Sequence, residues 1–117
     1  MHKIHKRPRV LLLQVISPQV HREEALHEMA EAEQLVKTWG GVVVTKDVQH
    51  RVRPHPATYI GIGKVEKLKE VVKEKEIDVV VLNALVHSGQ LFRVEKELWE
   101  VNHLIKVWDR IDLILNI

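Results

Sequence analysis

Gly61 and Gly63, one residue apart and followed at once by Lys64, are the first candidates for chemistry in this chain. They lie between a short apolar run and a charged pattern of helical period. Glycine tolerates positive φ and lets a backbone approach another group closely. A phosphate cradle, a tight packing contact and an RNA-facing loop would all use such a segment. Spacing tests the phosphate motifs. A Walker A loop needs four residues between its glycines and a Ser or Thr after the lysine. Here one residue intervenes, and Val65 follows Lys64. A dinucleotide fingerprint needs a third glycine where Glu66 stands. Neither motif is met. A glycine turn opening a helix is the plain structural reading, and it predicts positive φ at Gly61 or Gly63.

Cations gather around this turn. Residues 46–64 hold Lys46, Arg51, Arg53 and Lys64 against Asp47 alone. Long cations in or beside loops can reach phosphates, which makes these four the candidate RNA contacts. A solvated basic face is the competing reading. Tyr59 can stack on a base or pack inward. No RRM, KH or helix-turn-helix signature is present.

Other constellations are weaker. The eight histidines include no pair at a convincing two-ligand spacing, and no cysteine supports them, so no metal site is expected. Ser17, Thr45, Thr58 and Ser88 are the hydroxyl candidates for a nucleophile. His87 adjoins Ser88, but sequence neighbours rarely form a triad. Ser17 and Ser88 read as helix caps, and no catalytic residue is expected. Asp109 and Arg110 can form an ion pair at a strand-to-helix junction.

The elements that must position these residues follow from patterning. The near-continuous apolar run Arg9–Ile16 suits a strand buried on both faces. Ser17-Pro18 then opens a helix that runs to Trp39 and stops at Gly40-Gly41. Its first half is acidic, with Glu23, Glu24, Glu28, Glu31 and Glu33. Strands are expected over 41–48, 77–82 and 104–108. Helices are expected over 64–76, 90–102 and after Asp109. The stretch 49–56 carries two prolines that resist helix and sheet, so it is a basic loop. Strands alternating with helices predict an α/β fold. The expected sheet has four parallel strands in order 2-1-3-4, with helices on both faces. Ligands of such sheets bind beyond the carboxyl ends of the strands, at the switch point between strands 1 and 3.

Length and composition agree. The 117 residues, 45% of them hydrophobic, fit one domain over 9–117. Residues 1–8, MHKIHKRP, read as a flexible basic arm. They lack the apolar segment of a signal peptide. No run approaches a membrane span. The absence of cysteine excludes disulfides and suits a reducing cytoplasm.

The string Thr58-Tyr59-Ile60-Gly61-Ile62-Gly63-Lys64-Val65-Glu66 closely resembles the T-Y-I-G-x-G-K-x-E of the amino-terminal domain of HflX-type GTPases. PHPA at 54–57 matches the lead-in of that motif. Ile105-Lys106-Val107-Trp108-Asp109-Arg110, followed by Leu113-Ile114-Leu115, is similar to the family's V-x-V-x-D-R-x-x-L-I-L. The resemblance spans residues 10–117. There are departures. Gly89 stands where proline is usual, Ile111-Asp112 replaces the usual Thr-Gly, and Asn116 takes a common aspartate position.

The resemblance implies a ribosome-associated GTPase whose amino-terminal domain docks on large-subunit RNA and modulates a GTPase domain. The nucleotide motifs of that domain are absent here. It implies that this chain is not itself the enzyme. GTP and magnesium are expected only in the GTPase domain, which should follow a helical domain after Ile117. Two alternatives stand beside this reading: a domain that binds ATP, and a protein-interaction module that does not touch RNA.

Overall fold

The computed structural model describes residues 5–117. The order of elements is β1 (Arg9–Ile16), α1 (Arg22–Trp39), β2 (Val42–His50), α2 (Ile62–Glu74), β3 (Val79–Leu82), α3 (Ser88–Leu98), β4 (Lys106–Trp108) and α4 (Arg110–Leu115). The strands form one parallel sheet in the order β2-β1-β3-β4, as the alternating pattern predicts.

The apolar run in β1 is continuous because the strand is covered on both faces. Successive side chains of a strand point to opposite sides. Val10 and Leu12 therefore meet Met29, Ala32 and Val36 of α1 and Leu113 of α4. Leu11 and Leu13 meet Leu68 and Val72 of α2 and Val94 and Leu98 of α3. Two cores thus share one strand.

Several boundaries shift from the sequence reading. Ser17 is not a helix cap. Residues 17–20 make a separate turn, closed by Val20 N–H to Ser17 O at 3.2 Å, and α1 starts at Arg22 behind His21. Ser88 is the first helical residue of α3 rather than its cap, because His87 takes that place. α1 ends as expected. Gly40 has φ 106° and gives its N–H to Val36 and Lys37, the left-handed stop that glycine adopts without a Cβ penalty.

Asp109 and Arg110 do not pair with each other. Asp109 caps α4 by accepting the Asp112 N–H at 2.9 Å, and it also accepts the Val86 N–H at 3.1 Å. Arg110 instead reaches Glu31 of α1 at 2.9 Å. Of the expected arm, residues 1–4 lie outside the described residues. His5 lies against Asp78, with Nδ1 and Oδ2 2.9 Å apart. The same carboxylate accepts the Arg9 N–H that opens β1. No helix among the described residues is long and apolar enough to cross a membrane.

Candidate functional site

The ladder between β1 and β2 runs out at Arg51, whose N–H reaches Ile16 O at 3.0 Å. From there the chain leaves the sheet at the carboxyl ends of the strands. Pro54 and Pro56 lack N–H donors and hold the loop away from sheet or helix. The loop closes on itself by a two-bond bridge. His55 N–H donates to Tyr59 O, and Tyr59 N–H to His55 O, each at 2.8 Å. Inside the bridge His55 Nδ1 accepts the Ala57 N–H at 3.1 Å. The buried Thr58 hydroxyl donates to Ile60 O at 2.6 Å. Ile60 is completely buried and plugs the loop into the core beneath α2 and α3.

The strained residue of this segment is Tyr59, with φ 65°. Neither Gly61 nor Gly63 has positive φ, so the expected left-handed glycine is corrected. A bulky residue at positive φ is uncommon and persists where its surroundings over-determine it. Here the His55 bridge precedes it and the Ile60 plug follows it. The Tyr59 ring packs against the core. Burial raises its phenol pKa, and the negative charge of Glu28 raises it further.

Gly61 allows a close approach rather than a positive φ, and a Cβ there would make the flexible end of Arg51 move aside. A Cβ there would lie 2.7 Å from Arg51 Nη1 and 3.2 Å from Gln49 Nε2. Its N–H donates to Gln49 Oε1 at 3.0 Å. The Arg51 side chain thus folds back over Gly61, and its Nε donates to Arg53 O at 2.9 Å. Gly63 lies inside α2, and a Cβ there would meet nothing within 4 Å. Gly63→Ala is therefore expected to stabilise the protein by about 0.5–1 kcal/mol, through helix propensity and a less free unfolded chain. Urea denaturation checks this, and a loss of stability would contradict it.

The four candidate cations divide into two pairs. Lys64 forms an ion pair with Asp47, and Lys46 pairs with Glu33 at 3.3 Å. The Lys64 side chain is only 16% exposed. Arg51 and Arg53 have no carboxylate partner among the described residues. They flank the exposed Val52 at a shallow hollow of about 550 Å³ that His50 and Pro54 also line. No acid occurs between Asp47 and Glu66, so the charge of this loop is uncompensated along the chain.

Two clasps were not legible in the sequence. Gln49 holds Gly61. Gln90, in the first turn of α3, donates to His55 O and Pro56 O at 3.1 and 3.2 Å. These partners are 12, 35 and 34 residues apart, and no local pattern marks them. At the expected switch point a polar tie joins β1, β3 and α1, and beside it a cleft of about 570 Å³ opens between the loop after Ile16, the start of α1 and the end of β2. Gln14 Nε2 donates to Glu28 at 3.0 Å. Asn83 Nδ2 donates to Gln14 Oε1 and to the Glu28 carbonyl. Among the described residues no three His, Asp or Glu side chains converge on a metal-sized site.

Comparison with known proteins gives a consistent result. Residues 26–117 match the family described as GTP-binding GTPase N-terminal. GTPase HflX of Lacrimispora saccharolytica is 39% identical over 95 residues, covering 81% of this chain and 21% of that protein. GTPase HflX of Magnetococcus marinus is 36% identical over 118 residues, covering 100% of this chain and 26% of its own length. GTPase HflX of Thermococcus kodakarensis is 38% identical over 88 residues, covering 75% of this chain and 19% of that protein. A solved structure of SsGBP with GDP superposes with a TM-score of 0.63 at 18% identity, over 93% of this chain and 28% of that one. That likeness is one of fold. The chain thus spans about a quarter of the length of the relatives it matches.

Proposed function

Because this chain belongs to the HflX GTPase family, as its GTP-binding GTPase N-terminal domain, we propose that it docks a GTPase onto the large ribosomal subunit. The contact is made to ribosomal RNA through the 51–57 loop. In this reading the domain also modulates the GTPase domain of the full-length protein, in the cytoplasm. GTP and magnesium belong to that GTPase domain, and this chain supplies no catalytic group.

One observation carries the proposal. Arg51 and Arg53 lie at the end of the sheet, Arg53 exposed and Arg51 half-buried over Gly61, and neither has a carboxylate partner among the described residues. The folded loop beneath them is fixed by the His55–Tyr59 bridge and the Ile60 plug. Unpaired cations on a rigid loop suit phosphate contact, because no ion pair need be broken first and little ordering remains to be done. Lys46 and Lys64 have a supporting part. Their pairs with Glu33 and Asp47 hold β2 to its neighbours, and each would have to exchange a carboxylate for a phosphate to join the contact.

The geometry favours this over a phosphate cradle at Gly61–Lys64. The Gly61 N–H is committed to Gln49, and the Lys64 ammonium to Asp47. The test is cosedimentation of the protein with purified large subunits. Arg51→Ala/Arg53→Ala should weaken binding at least tenfold at low salt, since hydrogen bonds to charged groups contribute about 1.5–3 kcal/mol each. Glu23→Gln/Glu24→Gln, on the exposed acidic turn of α1, should leave it unchanged. Equal binding by the arginine variant and wild type would refute the assignment.

A further inference from the structure

The cleft at the carboxyl ends of β1 and β2 takes no part in the docking just described. Its volume of about 570 Å³ is that of a small-molecule site. Sheets of this kind bind their ligands at this end. The walls are aliphatic. Ile16 and Val48 come from the two strands, Val20 from the turn before α1, and Leu26 and Met29 from α1 itself. Leu26 and Val48 are 59% and 40% exposed, so the fold leaves apolar surface open here that a ligand would take out of water.

Two features distinguish this cleft from a chance hollow. Its lining includes Gln14, a polar side chain only 3% exposed. Bonds to Glu28 and Asn83 fix that amide, so the inner end of the cleft is preformed. At the rim stand Arg22 of α1 and His50 of β2, both exposed. Neither forms an ion pair among the described residues. No acid lines the cleft. Glu23 and Glu24 share the first turn of α1 with Arg22 but lie outside the lining, and Glu28 is engaged by Gln14 Nε2. The charge of the lining is therefore that of Arg22, and His50 adds to it when protonated.

An aliphatic chamber with a cation at its mouth suits an amphiphile, with an apolar body inside and one negative group outside. A nucleotide fits less well. Its phosphates would meet a single arginine, and its base edge would find only Gln14, whose amide already bonds Glu28 and Asn83. We propose that the cleft binds a small organic anion. A ring or short acyl body lies against Leu26, Met29 and Val48, and its carboxylate, sulfonate or phosphate meets Arg22, with His50 as a second donor. This site is independent of the RNA-docking reading of the loop.

The test titrates the protein with anilinonaphthalene sulfonate, read by its fluorescence. Phenylnaphthylamine supplies similar rings without the charge. The sulfonate should bind saturably and more tightly than the neutral compound. Arg22→Gln should weaken the sulfonate about three- to tenfold, between the effect of an exposed ion pair and that of a charge-assisted hydrogen bond. It should leave the neutral compound unchanged. Leu26→Glu puts a carboxylate into the apolar wall and should weaken both compounds at least about tenfold. Both positions are exposed, and Gln and Glu are good helix formers, so these variants should fold, which circular dichroism verifies. Phe92→Ala alters a separate exposed ring on α3 and should change nothing. Equal binding of the sulfonate by wild type and Leu26→Glu would place the dye elsewhere and overturn the site. Loss with Leu26→Glu but not with Arg22→Gln would overturn the anionic class. Displacement of the dye by AMP at lower concentration than by octanoate would overturn it in favour of a nucleotide.

Discussion

Asp109→Ala is expected to lower folding stability by about 3 kcal/mol. The carboxylate is 7% exposed and holds two separate segments. One oxygen accepts the Asp112 N–H and so caps α4, while the other accepts the Val86 N–H ahead of α3. Asp112 answers by accepting the Asp109 N–H at 3.1 Å. Alanine removes the cap, which costs about 1 kcal/mol. It also strands the enclosed Val86 donor, which costs about 1–3 kcal/mol more. Asp109→Asn keeps one oxygen acceptor and should lose less. Urea denaturation with an unchanged m-value is the check. A loss under about 0.5 kcal/mol for alanine would mean that water replaces both bonds.

Ile60→Ala should be of similar size, about 2–5 kcal/mol, the range for emptying a large aliphatic site in a packed core. Ile60 has no exposed surface, and it separates the strained Tyr59 from the close-packed Gly61. Without the plug, the His55–Tyr59 bridge has less to hold it against the strain at Tyr59. Amide exchange at His55 and Tyr59, whose N–H groups make that bridge, should then rise more than exchange in β1. A uniform rise across the chain would show that Ile60 supports the whole core rather than the loop.

These two residues show what was legible in the sequence. Asp109 is an acid directly between a strand and an apolar helical pattern, so its capping role follows from local order. Its bond to Val86, 23 residues away, does not. The parallel sheet followed because strands alternate with helical patterns, and the run of apolar residues in β1 suits a strand covered on both faces. The glycine turn misled because a reversal was assumed to need glycine at positive φ. The His55 bridge imposes that conformation on Tyr59 instead. Gly61 serves an arginine ten residues earlier, a tertiary reason that spacing does not reveal.

The candidate cations had the same limit. Their excess was visible along the chain. That Asp47 holds Lys64, and Glu33 holds Lys46, became visible only when β2 was placed beside α1 and α2. Within the departures from the family motif, Asp112 has a use, since its carboxylate completes the cap of α4. Gly89 has no packing reason, because a Cβ there would meet nothing within 4 Å.

The salt dependence of large-subunit binding tests the central claim most directly. Plots of log affinity against log salt concentration are compared for wild type and Arg51→Ala/Arg53→Ala. Two lost phosphate contacts should make the slope shallower by about 1.4–1.8, at 0.7 to 0.9 for each contact. Parallel lines, with the variant binding like wild type at every salt concentration, would mean that Arg51 and Arg53 only face solvent and that the docking surface lies elsewhere.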